Sequence, residues 1–293
     1  MPRLNQQIQL PDGRKLGYDD RGPSDGKPLF YFHGSPSSRV ESQLYVSEEL
    51  LQSLNVRLIV ADRPGAGLSD YQPDRRLLDW PKDVLTLADA LNIERFPVLA
   101  YSLGGPYGAA CAFAVPQRLT RVGIVSGAAL FTEPGLTDSI NEGTRRFLNL
   151  PREKPWASRL FLKMMDVMAR LAPNKFAANA AAMLPEPDRE ALASDPEFEK
   201  GFILMVREAF RQGTRGPFRE SLLTVLDWGF RPQDIQMPVL LWHGEADRNV
   251  PVVMARHLAE AIPNSQAKFH PGEGHLSLFK KNAAEIIRAL VDG

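Results

Sequence analysis

Strand-like segments recur along the chain, and several are apolar at every position. Six of them lie at Pro28–His33, Val56–Ala61, Phe96–Tyr101, Arg121–Val125, Val239–Trp242 and Ala267–His270. A strand that is apolar throughout is typical of a parallel sheet covered on both faces. Before them, the turn signal at residues 11–13 separates Gln7–Leu10 from Lys15–Tyr18 and predicts a hairpin.

Segments with helical spacing lie between these strands. Trp80–Leu91 places Val84, Leu87 and Ala88 on one face, and Asp79 before it is a suitable N-cap. Two further segments, Val252–Ile262 and Ala283–Leu290, have the same amphipathic spacing. Strands that alternate with helices predict an α/β fold with a parallel sheet and right-handed crossovers.

The alternation stops near Leu130 and resumes near Pro238. The stretch between has no clear strand but five helical segments, at Trp156–Leu171, Phe176–Met183, Asp188–Ala193, Phe198–Arg211 and Phe218–Trp228. We therefore predict an α/β core formed by residues 1–130 and 238–293, with a helical cap at 131–237. The apolar side chains of Trp156–Leu171 predict either packing within the cap or an adaptable acyl-binding surface.

Composition and charge narrow the function classes. The 293 residues include 35 Lys+Arg and 35 Asp+Glu, so a formal net charge of zero argues against nucleic-acid or anionic-membrane partners. No run of Arg or Lys indicates a phosphate or polyanion substrate. The one cysteine, Cys111, is expected to be a buried structural thiol. Without an apolar leader or a bilayer-length segment, we expect a cytoplasmic protein.

The turn after Phe96–Tyr101 carries a candidate nucleophile. Ser102 lies between Ala100 and Gly104, a variant of the G-x-S-x-G pattern. Small residues two positions either side let a strand and a helix pack closely around a strained serine. The alternative, an incidental serine in a small-residue turn, is open on this pentapeptide alone.

A serine nucleophile needs a base and an acid that orients it. His275, in the glycine-rich segment 272–276, is predicted to lie on a flexible loop and to act as the base. His270, within a strand, and His257, within a helix, are weaker candidates. Asp247 follows the strand Val239–Trp242 and is the expected acid, with Glu245 the runner-up.

Acyl transfer also needs backbone donors for the oxyanion. We expect the N–H groups of Leu103 and Ser35, because Ser35 follows Gly34 at the end of Pro28–His33. Pro36 would fix this loop, and a cis Ser35–Pro36 bond is predicted. His33 and His243, each preceding a glycine at a strand end, are expected to support the two loops.

Five motifs together resemble the α/β-hydrolase superfamily. They are HGSPSSR (33–39), DRPGAGLS (62–69), AYSLGG (100–105), HGEADRNVP (243–251) and GEGHL (272–276), in the family's order. The resemblance implies an eight-stranded, mostly parallel sheet with a helical cap after the sixth strand. It implies the roles given above for Ser102, Asp247 and His275, and no metal or cofactor.

The resemblance also excludes some branches of the superfamily. Epoxide hydrolases and haloalkane dehalogenases have an aspartate where this chain has Ser102, and the signatures of proline iminopeptidases are absent. The sequence therefore predicts a carboxylic-ester hydrolase for a small apolar substrate. A perhydrolase, a C–C hydrolase or lyase, and a receptor-like binding protein on the same scaffold remain alternatives. The oligomeric state is not predicted.

Overall fold

A computed structural model describes residues 2–129, 136 and 142–292. Eight strands form one sheet: β1 Arg3–Gln9, β2 Lys15–Arg21, β3 Lys27–Phe32, β4 Val56–Ala61, β5 Phe96–Tyr101, β6 Leu119–Val125, β7 Val239–Gly244 and β8 Ser265–His270. Their order is β1-β2-β4-β3-β5-β6-β7-β8. Only β1 and β2 are antiparallel to their neighbours, so the predicted mostly parallel sheet and N-terminal hairpin are confirmed.

In the described residues, the helices lie between strands or follow the last one. They are α1 Ser42–Tyr45, α2 Glu48–Leu54, α3 Trp80–Ala90, α4 Gly105–Ala114, α5 Glu142–Glu153, α6 Pro155–Leu171, α7 Pro173–Met183, α8 Glu186–Ala193, α9 Pro196–Ala209, α10 Arg215–Leu223, α11 Val252–Ala261 and α12 His275–Val291. The helices α5 to α10 all fall between β6 and β7. The predicted domain boundary at residue 131 lies outside the described residues.

Both faces of the sheet are covered, which explains the continuous apolar strands. In β5, Val98 and Ala100 join the core with α3, α4 and α11, whereas Leu99 and Tyr101 face the core with α2 and α12. Because successive side chains point to opposite faces, every position of such a strand is buried. A separate apolar cluster, which includes Leu162, Phe176 and Phe210, holds the helices of the insertion together.

Several predicted boundaries differ from the structure. The helix expected at Phe218–Trp228 is α10, which ends at Leu223, and α5 was not predicted. The last helix begins at His275 instead of Ala283, so His275 does not lie on a loop as expected. The physical reason is a cap supplied by α8, described below.

Among the described residues, no helix is long and apolar enough to cross a membrane. Cys111 is buried on α4, as predicted.

Candidate active site

Ser102 lies at a sharp corner between β5 and α4. Its φ is +54°, in the left-handed region that costs a non-glycine residue conformational energy. The neighbouring positions must be small: a Cβ on Gly104 would approach Phe32 O to 2.2 Å, and one on Gly108 would approach the Ala100 Cβ to 2.8 Å. The close contact between α4 and the strands therefore explains the small residues around the serine.

The structure brings Ser102, His275 and Asp247 into one hydrogen-bonded chain. The His275 Nε2 lies 3.0 Å from the Ser102 Oγ, and its Nδ1 lies 2.7 Å from the Asp247 Oδ2. The other Asp247 oxygen accepts the N–H groups of Asn249 at 2.8 Å and Val250 at 2.9 Å. Because a carboxylate only accepts, Nδ1 of His275 carries a proton, which leaves Nε2 to accept the serine hydroxyl.

Glu245, His257 and His270 do not join this chain, whereas the Nε2 of His243 lies 3.4 Å from the Asp247 Oδ2. Glu245 forms an exposed ion pair with Arg256 at 2.7 Å. His257 lies on α11 and His270 ends β8. His243 donates from Nε2 to the Val250 carbonyl at 2.8 Å, and burial lowers its pKa. It thus braces the Asp247 loop as a neutral ring.

Opposing influences act on the pKa of His275. Burial lowers it, whereas the charge and hydrogen bond of Asp247 and the charges of Asp188 and Glu41 raise it, and the net shift is upward. A raised pKa means that the ring accepts a proton more readily than free imidazole does. This suits a group that takes a hydroxyl proton.

The predicted oxyanion loop lies beside the serine. A Cβ on Gly34 would lie 3.0 Å from the Glu41 Oε1 and 3.2 Å from the Ser102 Cβ, so a larger residue there would have to displace its neighbours. The Ser35–Pro36 bond is cis, as predicted. The Gly34 N–H donates to the Glu41 Oε2 at 2.8 Å, and Tyr31 donates to the same oxygen at 2.8 Å. The Glu41 carboxylate therefore holds the loop in place through the Gly34 N–H. Burial raises the pKa of Glu41.

His33 supports the same loop as a neutral residue. Its Nδ1 donates to the Gly34 carbonyl at 2.8 Å, and its Nε2 accepts the Arg63 N–H at 3.2 Å. Burial, and then the charge of Arg63, hold its pKa well below the usual range. Arg63 also donates to the Gly34 carbonyl at 2.7 Å and pairs with Glu220 of α10 at 2.6 Å.

Asp188 is a site residue that sequence reasoning missed. It is fully buried on α8, and its carboxylate accepts three backbone N–H groups in the first turn of α12: His275 at 2.8 Å, Leu276 at 2.9 Å and Ser277 at 2.9 Å. A negative group at a helix N-terminus stabilises it through hydrogen bonds and the helix dipole. A partner 87 residues away leaves no local sequence signal.

An apolar cavity of about 200 Å³ adjoins the loop and the turn. It is lined by both predicted oxyanion residues, Ser35 and Leu103, and by helices α5, α6 and α10. Of α6, the side chains of Phe161, Leu162 and Met165 face this cavity. Leu162 also belongs to the core of the insertion, so the predicted packing of this helix within the cap is confirmed, and the acyl-binding surface stays a prediction.

Comparison with known proteins identifies the family. A family model for the alpha/beta hydrolase fold matches residues 27–282. This chain belongs to the α/β hydrolases. An uncharacterized hydrolase, YcgS of Bacillus subtilis, is 26% identical to this α/β hydrolase over 275 residues, 94% of this chain and 93% of its own.

Two further known proteins are similar to this α/β hydrolase over nearly its whole length. A proline iminopeptidase of Xylella fastidiosa is 23% identical and covers 95% of this chain and 92% of its own length. The structure of the esterase RhEst1 from Rhodococcus superposes with a TM-score of 0.69, at 20% identity and 99% coverage of both chains. At this identity the structural likeness speaks for the fold alone.

Proposed function

We propose that this hydrolase is a serine esterase that cleaves small apolar carboxylic esters through an acyl-enzyme on Ser102. The observation that carries the proposal is the hydrogen-bonded chain from Ser102 through His275 to Asp247, at 3.0 and 2.7 Å. The first residue of this hydrogen-bonded chain, Ser102, has a φ of +54° and lies at a turn that leads directly into a helix. This arrangement is the one that acyl transfer by serine requires.

In the first half-reaction, the Ser102 Oγ attacks the ester carbonyl carbon while its proton passes to the His275 Nε2. The carbonyl oxygen becomes an oxyanion, which the N–H groups of Leu103 and Ser35 stabilise. When the C–O bond breaks, His275 returns the proton to the departing alcohol. Asp247 stays ionised and stabilises the imidazolium that forms in between.

In the second half-reaction, water attacks the acyl carbon and gives a proton to the His275 Nε2. Collapse of the new tetrahedral intermediate breaks the bond to Ser102, and His275 reprotonates the Oγ. The carboxylic acid leaves and the enzyme is regenerated. No metal or organic cofactor enters these steps, and we propose that the enzyme works without one, in the cytoplasm.

The cavity beside Ser35 and Leu103 supports a small apolar acyl group. Its volume of about 200 Å³ lies below the range of about 300–1,000 Å³ that holds drug-sized ligands. Leu148, Leu150 and Met165 give it apolar walls. The same catalytic geometry would serve amide or peracid chemistry, so product identification decides among these reactions.

The test is a panel of p-nitrophenyl esters with the wild type, Ser102→Ala and Glu245→Gln. Ser102→Ala is expected to lower kcat by about 10⁴ or more, since the nucleophile is lost. Glu245→Gln, the matched change at the runner-up acid, should keep full activity. Unchanged turnover in Ser102→Ala would refute the proposal, and ligand binding without product would favour the receptor alternative.

A further inference from the structure

A second cavity, of about 440 Å³, lies between the helical insertion and the core. It is lined by three arginines: Arg159 of α6, and Arg215 and Arg219 of α10. Two ranges of the chain, 159 and 215–219, supply these side chains, so no local run of basic residues predicts the cluster. The volume falls in the usual range of small-molecule sites, about 300–1,000 Å³.

The three guanidinium groups have no carboxylate partner within the described part of the chain. Arg159 lies over the Phe218 ring at 4.5 Å, and Arg215 over the Tyr71 ring at 4.7 Å. Arg219 donates to the Arg75 carbonyl oxygen from Nε at 3.0 Å and from Nη2 at 2.5 Å, which leaves its Nη1 as the free donor among the described residues. By contrast, Arg170, Arg189 and Arg211 of the insertion each pair with an acid that precedes them in the chain by three or four residues.

Stacking on a ring leaves the N–H edge of a guanidinium free to donate. That edge presents parallel donors whose spacing matches a carboxylate or phosphate. One acid, Asp74, also lines the cavity, so its lining carries three positive charges and one negative charge. The remaining excess of positive charge favours an anion in the cavity.

We propose that this cavity is a binding site for a small organic anion that carries a phosphate or paired carboxylates. The guanidinium edges of Arg159 and Arg215, together with the Nη1 of Arg219, would hold the anionic group. Phe218 and Leu222 offer apolar contact to the rest of the molecule. Because the walls come from both the insertion and the core, a bound anion would join the two.

The test measures binding of inorganic pyrophosphate and of citrate by calorimetry at constant ionic strength. Pyrophosphate represents a phosphate ligand and citrate a polycarboxylate. The probe that binds more tightly therefore shows which of the two anionic groups the cavity prefers. We expect at least one to bind with a Kd below about 1 mM and to raise the Tm, as a ligand specific to the folded state does.

Variants assign the binding to the cavity. The double variant Arg159→Gln, Arg215→Gln should weaken binding at least tenfold, because it removes two charge-assisted donors and two positive charges. Asp74→Asn should tighten it by removing the opposing charge. The matched control is Arg256→Gln, whose arginine also covers a ring, Phe269 at 4.8 Å, but already pairs with Glu245.

Three results would overturn the proposal. They are no binding of either probe below about 1 mM, equal binding by the double variant, or an equal loss in Arg256→Gln. Tm values of the variants without ligand show whether they fold. Esterase activity is a separate readout, which the double variant should retain, so this proposal and the proposed function fail independently.

Discussion

The basicity of His275 depends on single carboxylates that approach it from different elements. Asp247 contacts its ring, whereas Asp188 contacts its backbone and Glu41 lies beneath the neighbouring loop. All three charges raise the pKa of His275 against the lowering effect of burial. Asp188 is thus a positioning residue that acts on the proposed base without touching its ring.

Replacing Asp188 should shift the pH dependence of catalysis. Asp188→Asn removes one of the charges that raise the pKa of His275, so that pKa falls. Since the proposed base must be neutral to accept the serine proton, the acidic limb of kcat/KM should move to lower pH. The variant should also lose about 1 kcal/mol of stability or more, because the helix N-terminus loses a negative charge and one of the two acceptor oxygens becomes an amide nitrogen.

Asp195→Asn is the control for this change. Asp195 caps its own helix α9 by accepting the Glu197 N–H at 3.0 Å, so the same Asp→Asn change is made at a helix N-terminus that has no contact with His275. Its pH profile of kcat/KM should match the wild type. A profile of Asp188→Asn that also matches the wild type would contradict the positioning role.

At the level of elements, α10 is joined to the oxyanion loop by a buried cluster. Glu220 accepts from Arg63 at 2.6 Å, from Tyr107 at 2.8 Å and from Arg75. Arg63 in turn donates to the Gly34 carbonyl at 2.7 Å. The position of the loop is therefore fixed partly by a helix of the insertion.

Removing the Glu220 charge should be strongly destabilising. Glu220→Gln leaves Arg63 and Arg75 buried without their counter-ion, a situation that costs about 3–5 kcal/mol. The measurement is urea unfolding at neutral pH. Glu245→Gln, an exposed pair with Arg256, should change stability by less than about 1 kcal/mol. Equal effects of the two changes would contradict this account.

The same residue predicts how stability depends on pH. Burial raises the pKa of Glu220, but the charges of Arg63 and Arg75 outweigh it and lower that pKa to about 2. A depressed pKa in the folded state contributes stability above the unfolded value, which is lost as pH falls. The stability difference between the wild type and Glu220→Gln should therefore shrink between about pH 4.5 and pH 2.

Element boundaries were predictable where local pattern decides them. The buried strand β5 was predicted with the bounds it has, because both of its faces meet apolar helices. The predicted start of α12 was wrong because the residue that caps this helix, Asp188, comes from α8. The role of Glu220 in holding the oxyanion loop could not be predicted either. A charged residue in a polar helix is expected to be solvent-exposed when only the sequence is known.

At the scale of the molecule, the parallel sheet brings the candidate site together. Ser102, Asp247 and His275 follow β5, β7 and β8, and the carboxyl ends of parallel strands share one edge. Their convergence could therefore be predicted from motif order and topology. The contacts that the insertion makes with the site, through Asp188 and Glu220, could not be predicted. No sequence pattern shows which core residues a helix of the insertion will contact.

The size of the apolar cavity predicts a limit on acyl length. Met165 of α6 lines it, so Met165→Ala should favour longer acyl chains. Each additional methylene that becomes buried should raise kcat/KM roughly fourfold. The control is Met164→Ala, its neighbour on the outer face of α6, which is 53% exposed. The readout is kcat/KM across p-nitrophenyl esters of increasing length; equal profiles for both variants would contradict this placement.

The most direct test of the central claim is labelling with a fluorophosphonate, read by intact mass and peptide mapping. The hydrogen bond from Ser102 to His275 at 3.0 Å predicts one adduct per chain, on Ser102. Ser102→Ala should give none, although it remains folded. Asp247→Asn should react far more slowly, because His275 loses the partner that sets its tautomer. A folded wild type that forms no adduct, or one that is labelled elsewhere, would contradict the account of Ser102 as the activated nucleophile.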